Sequence, residues 1–219
     1  MSTWLLATRS QGKRNELTPM LAARGITVLT LDEAGVDMHP DEQGIEVYDT
    51  FEGNALAKAR YFAARTGLPC LADDSGLCVD AIDGAPGVRS RRFAADRGQP
   101  LLSGHDEDTM NNEALVDACL DSGRAPPWTA RYVCAAAYCD GAREHVATGS
   151  TEGAIEPDGD GHGGFGYDPF FFSKDLGISF GRASREAKAA VSHRGRAVAA
   201  LLAIIVSNDS AAQPVDEAD

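Results

Sequence analysis

Two aspartates stand side by side after a short apolar run, in Leu71-Ala72-Asp73-Asp74-Ser75-Gly76-Leu77. The apolar run reads as a strand. The expectation is that it stops on the carboxylates and turns on Ser75-Gly76, presenting negative oxygens at a sheet edge. Hard cations such as Mg²⁺ bind at such corners through one or two carboxylates, water and substrate phosphates. An Asx turn is the other reading of the same pair. Glu46, in an acidic loop upstream, is a second carboxylate for a metal, and Glu42 is its rival.

Two further segments suit an anionic partner. Thr8-Arg9-Ser10-Gln11-Gly12-Lys13 lies between a predicted strand and a predicted helix. A polar loop that opens a helix offers backbone N–H groups and a positive dipole end to a phosphate, and Lys13 adds a charge. The spacing is not that of a Walker A loop. Arg182, Arg185, Lys188, Arg194 and Arg196 fall close together around a single acid, Glu186, and Arg89, Arg91, Arg92 and Arg97 form a second concentration. Such runs read either as a solvated face or, where Ser192-His193-Arg194-Gly195 interrupts a helical pattern, as a ligand-facing kink.

A third segment, Gly161-His162-Gly163-Gly164-Phe165-Gly166-Tyr167-Asp168-Pro169, combines glycines, which allow close backbone approach, with two aromatic rings. Phe165 and Tyr167 are flat surfaces on which a base can stack, and Asp168 can accept hydrogen bonds from a base edge. A glycine-rich turn with core aromatics is the alternative. His39 and His145 read as surface or strand residues, and His105 and His162 lack zinc spacing. The GxSxG pattern of a nucleophile elbow is absent.

The elements that must position these residues follow from periodicity and punctuation. Trp4–Thr8 predicts a strand, about Lys13–Arg24 a helix stopped by Gly25, and Ile26–Leu31 a second strand. Residues 32–49 read as loop. Thr50 caps a helix to about Thr66 with Ala55, Ala59, Phe62 and Ala63 on its apolar face. After the Asp73-Asp74 strand, 83–105 reads as a long loop and Asp108 to about Leu120 as a helix. Thr129–Cys139 and Arg143–Ser150 form a hairpin about Asp140-Gly141. Ser184 caps a helix that breaks near Gly195. A last helix carries Val198, Leu201, Leu202 and Ile205 inward. The order predicts an α/β fold with a mixed β-sheet flanked by helices, and leaves room for a second lobe built from the middle of the chain, with a ligand cleft between lobes. Residues 1–208 are expected to form a single unit, and 209–219 a frayed acidic tail.

Bulk numbers narrow the function. The 219 residues carry a formal net charge of −13, which argues against non-specific binding to a nucleic-acid backbone. The N-terminal apolar run is too short for a signal peptide, and no stretch reaches the length of a membrane span. Five cysteines without a CxxC pair fit reduced thiols in the cytoplasm.

In chain order, these segments resemble the inosine triphosphate pyrophosphatase family, the Ham1-like pyrophosphatases of non-standard purine nucleoside triphosphates. The matching pieces are Leu6-Ala7-Thr8, Gly12-Lys13 and Glu16-Leu17; Thr50 through Ala59; Ala72 through Leu77; Gly84-Ala85-Pro86-Gly87-Val88; Gly163 through Pro169; and Lys188 with Ser192-His193-Arg194-Gly195. The resemblance spans about Leu5 to Ala203. It implies an elongated two-lobed α/β homodimer that uses Mg²⁺ to hydrolyse ITP, dITP and XTP to monophosphate and pyrophosphate. By motif match, Thr8, Arg9, Ser10, Gln11, Gly12 and Lys13 would line the triphosphate. Asp74 would be the catalytic carboxylate and a metal ligand with Glu46, and Ser75 would touch substrate. Phe165, Gly166, Tyr167 and Asp168 would hold the base. Lys188, His193 and Arg194 would contact phosphate and base. Two departures stand out: Thr8-Arg9-Ser10 replaces the family's Thr-Gly-Asn, and Glu46-Val47-Tyr48 replaces its Glu-Thr-Gly. A Maf-like pyrophosphatase and a non-catalytic nucleotide sensor share much of this pattern. A phosphatase with an Asp nucleophile differs in releasing orthophosphate.

Overall fold

A computed structural model describes residues 2–99 and 106–211. His105 and most of the expected acidic tail lie outside the described residues. Among the described residues there are six strands, β1 (Thr3–Leu6), β2 (Thr27–Thr30), β3 (Cys70–Val79), β4 (Trp128–Cys139), β5 (Glu144–Ile155) and β6 (Phe171–Ser173). Six helices accompany them: α1 (Gln11–Ala22), α2 (Phe51–Thr66), α3 (Phe93–Asp96), α4 (Glu107–Asp121), α5 (Arg185–Val191) and α6 (His193–Ala211). The sheet order is β2-β1-β3-β4-β5-β6. β1 runs parallel to both β2 and β3, and the remaining pairs are antiparallel. The expected mixed α/β sheet is therefore what forms.

This order creates the crevice. Strands β2 and β3 lie on opposite sides of β1, so the carboxyl end of β1 is a topological switch point, where α/β sheets bind ligands. β1 pairs with β3 only through Leu5 and Leu6, opposite Cys70 and Leu71. Beyond Leu71 the edge of β3 opens toward the loop that leaves β1.

The long strands serve three buried clusters, one toward one end and two, on opposite faces, toward the other. Leu77 and Val79 of β3, with Trp128, Ala130 and Tyr132 of β4, pack with α3, α4 and the segment around Phe171 and Phe180. The other halves of the same strands pack on both faces against the helices at the opposite end. Leu71, Cys134 and Ala136 meet α1 and α6, while Ala72, Ala135 and Ala137 meet α2 through Ala55, Ala59, Phe62 and Ala63. The apolar face assigned to α2 from its sequence is the face it buries. Two lobes thus share one set of strands, and the cleft lies between them.

Four expectations are corrected. Strand β3 does not stop at the aspartates; it runs through Asp73, Asp74, Ser75 and Gly76, each opposite a β4 residue from Ala136 to Val133. The helix break falls at Ser192, not at Gly195: Ser192 is extended, and its Oγ accepts from Gly195 N at 3.0 Å, capping α6. A Cβ on Gly195 would lie 2.9 Å from Ala189 O, so close packing against α5 is what requires glycine there. Helix α6 also continues to Ala211, into the stretch expected as tail. The loop expected over 83–105 contains a 3₁₀ turn at Gly87–Arg92 followed by α3. β6, with three residues, is too short to leave a periodic signal.

Candidate active site

Because side chains alternate along a strand, the adjacent aspartates point to opposite faces of β3. Asp73 shares a face with Leu71 and Ser75, toward α1 and α6. Asp74 shares a face with Ala72 and Gly76, toward α2. They are not a side-by-side carboxylate pair, and their environments differ accordingly.

Asp73 is fully buried and held by cations from distant parts of the chain. Its Oδ2 lies 3.1 Å from Lys13 Nζ and 3.0 Å from Arg194 Nε. Its backbone carbonyl accepts from Lys58 Nζ at 2.9 Å. Burial alone would push the Asp73 carboxyl up, but Lys13, Arg194 and Lys58 outweigh it and hold the group well below the usual carboxylate range. Asp73 is thus a permanent anion that fixes Lys13 and Arg194. Arg194 also donates to Ser75 Oγ at 2.8 Å and pairs with Glu16.

Asp74 makes no ion pair among the described residues. Asn54 Nδ2 donates to its Oδ2 at 3.0 Å, and Ser75 N donates to its Oδ1 at 3.0 Å. Burial raises its pKa, with Lys13 and Lys58 pulling the other way. A buried carboxylate that the fold leaves without its own counter-ion, and whose ionised form it disfavours, is a fitting partner for a cation. Glu46 lies on the same side, paired with Lys58. Burial would raise the Glu46 carboxyl, and Lys58 reverses the shift. Two oxygen donors of this kind suit Mg²⁺ when water and substrate phosphates complete its shell. The rival, Glu42, lines the same cleft but is held by Arg9, accepting from its Nη2 at 2.8 Å and its Nε at 3.2 Å.

The loop after β1 meets this corner from the other side. Ser10 caps α1, its Oγ accepting from Lys13 N at 3.4 Å, so the positive end of the helix opens on the cleft. A Cβ on Gly12 would sit 2.7 Å from the Phe165 ring. That glycine therefore lets the phosphate-type loop touch the glycine-rich loop. Lys188 Nζ lies 5.0 Å from the Phe165 ring centre, within cation–π range.

At the far end, Lys188 is buried between Asp168 Oδ2 at 2.6 Å and Glu16 Oε1 at 2.8 Å. His193 is buried and stacked on Tyr132 with ring centres 4.7 Å apart. Burial, reinforced by Arg194 and Lys188, pushes the His193 pKa well down and keeps the imidazole neutral.

Thr8, Arg9, Ser10, Gln11, Gly12, Lys13, Glu46, Asp74, Ser75, Phe165, Gly166, Tyr167, Asp168, Lys188, His193 and Arg194 all line one cleft of about 820 Å³. Two of these residues also have partners of their own within the protein. Tyr167 is largely buried, with its hydroxyl donating to Ser90 O at 2.7 Å, and it reaches the cleft from the core. Asp168 Oδ2 accepts from Lys188 Nζ and from Phe165 N. The basic run also divides: Lys188 and Arg194 enter the cleft, whereas Arg182 and Arg196 pair with Asp160 and Asp175 outside it. Sequence reasoning assigned no role to Glu16, Asn54 or Lys58. A signal existed, since Asn54 and Lys58 are four apart on α2 and Glu16 is three beyond Lys13 on α1.

Comparison with known proteins identifies relatives over nearly the whole chain. The Ham1 family model matches residues 4–204. A dITP/XTP pyrophosphatase of Geobacter sulfurreducens is 41% identical over 202 residues, covering 92% of this chain and 95% of that protein. One from Nitratidesulfovibrio vulgaris is 44% identical over 205 residues, covering 92% and 94%. A solved structure of a HAM1 protein from Coxiella burnetii superposes with a TM-score of 0.78 at 30% identity, covering 94% of this chain and 100% of that one.

Proposed function

This chain belongs to the Ham1 family, and from that premise we propose that it is a pyrophosphatase of non-standard purine nucleoside triphosphates, hydrolysing dITP and XTP, and ITP with them, to monophosphate and pyrophosphate. The observation that carries the reading is Asp74, a buried carboxylate without an ion pair among the described residues, opening on the same cleft as Lys13, Lys188 and Arg194.

The N-terminus of α1 and Lys13 bind the triphosphate tail and stabilise charge that develops on the departing pyrophosphate. Asp73 does not take part in proton transfer; it holds Lys13 and Arg194 in place. Asp74, whose proton affinity is raised by burial, orients the attacking water and accepts its proton. Attack falls at the α-phosphorus, and the bond to the bridging oxygen of pyrophosphate breaks. Mg²⁺ when bound, held by Asp74 and Glu46, supplies neutralisation of the phosphate oxygens.

Base selection rests on the oxygen at the purine 6-position. Neutral His193, Arg194 and nearby backbone N–H groups supply donors to it. An amino group at that position leaves such a donor unpaired, which costs about 2–3 kcal/mol, roughly a hundredfold in rate. The assembly expected is a homodimer, checked by light scattering. Five unpaired cysteines support a reducing, cytoplasmic setting. Among the described residues no single helix is long and apolar enough to cross a membrane.

A triphosphate panel with Mg²⁺, identifying both products, tests the reading. The expected result is pyrophosphate from dITP, XTP and ITP, with ATP at least tenfold slower. Equal rates on the common triphosphates, or release of orthophosphate, would refute it.

A further inference from the structure

Asn54, in the first turn of α2, is 3% exposed and uses every polar atom of its side chain. Its Oδ1 accepts from Tyr48 N at 2.9 Å. Its Nδ2 donates to Tyr48 O at 3.1 Å and to Asp74 Oδ2 at 3.0 Å. The amide orientation follows from its partners, because only oxygen can face the Tyr48 N–H and only nitrogen can face a carbonyl and a carboxylate. Tyr48 itself is half-exposed, so its backbone is not fixed by burial of its side chain. It lies two residues beyond Glu46. One side chain therefore grips the segment that carries one acidic group and bonds directly to the other. The geometry reads like strand pairing supplied by an amide, and neither a carboxylate nor a hydroxyl offers the same one acceptor and two donors.

We propose that Asn54 is a positioning residue that locks the Glu46 segment and the Asp74 carboxylate into one fixed relation, so that the two meet a divalent ion already aligned. This rests on the metal reading above, which assigns Glu46 and Asp74 to the ion. The alignment limits the ordering that binding would otherwise require.

Mn²⁺ is the probe, with free ion counted by electron paramagnetic resonance in the presence of a non-hydrolysable dITP analogue. This readout needs no turnover. Asn54→Ala is expected to weaken Mn²⁺ binding fivefold or more. The Mg²⁺ concentration for half-maximal activity should rise in parallel, with most of kcat restored at saturating Mg²⁺. Unchanged Mn²⁺ affinity, or a lower kcat with an unaltered Mg²⁺ dependence, would overturn the inference and leave Asn54 a merely structural residue. Asp74→Asn is the control: if it binds Mn²⁺ like the unmodified protein, the metal assignment fails instead. Should Asn54→Ala not fold, hydrogen exchange in the unmodified protein decides. The Tyr48 amide is expected to be protected, and exchange at the rate of a free amide would overturn the proposal.

Discussion

Replacing the two neighbouring aspartates one at a time should give unequal effects on stability. Asp73→Asn removes the anion between Lys13 and Arg194, both of which meet its Oδ2 within 3.1 Å. Arg194 is 2% exposed and has Glu16 as its remaining acidic partner, itself shared with Lys188. Breaking a buried pair by removing one member costs about 3–5 kcal/mol, because the other charge stays desolvated. For a chain of this size that corresponds to a fall in Tm of about 6–20 °C. Asp74→Asn removes a charge that the fold disfavours. Its loss is limited to one of two hydrogen bonds, from Asn54 or Ser75, worth about 1 kcal/mol. Its stability should therefore stay within about 1 kcal/mol of the unmodified protein, while turnover of dITP is abolished. Thermal and urea unfolding without metal or nucleotide make the comparison. Equal destabilisation by the two substitutions, or an Asp73→Asn protein with unchanged Tm, would refute the division of roles along β3.

Two further outcomes follow from the cation network. Lys13→Ala should raise KM for dITP by roughly ten- to a hundredfold, the worth of one charged contact, and an unchanged KM would remove Lys13 from the phosphate site. Glu16→Gln should lower stability at pH 7 by about 3 kcal/mol, since it leaves Lys188 and Arg194 short of a shared anion. The Glu16 pKa is depressed in the fold: burial raises it, and Arg194 and Lys188 more than reverse this. Its contribution is complete above the unfolded value near about 4.3 and is lost as pH falls through the folded value. Urea unfolding should therefore show the gap between Glu16→Gln and the unmodified protein closing below about pH 4; a gap constant down to pH 3 would contradict the ion pairing.

Much of the fold is legible in the sequence because its signals are local. The apolar face of α2, the Asp140-Gly141 hairpin and the Ser184 cap depend on residues a turn or less apart. The course of β3 was not legible, because two adjacent acids look like an end to a strand. What lets them sit inside the sheet is compensation from Lys13, Asn54, Lys58 and Arg194, which neither periodicity nor spacing places beside them. The same distance hides Glu16: on α1 it reads as an ordinary surface acid until α5 and α6 deliver Lys188 and Arg194 to it. Tyr167 shows the same limit: an aromatic next to glycines suggests a platform, but only the packing shows that its hydroxyl donates to the Ser90 carbonyl.

The continuity of β3, β4 and β5 from one lobe to the other bears on how the protein can move. Among the described residues, three strands cross between the two halves like planks. Any narrowing of the crevice around a nucleotide has to be produced by twisting those planks, or by the loops at the rim, and not by a swing about a linker. Torsion of this kind is spread over many residues, each shifting a little, so substitutions that stiffen or loosen the middle of β4, opposite Asp73 and Asp74, would be felt at the phosphates without touching them.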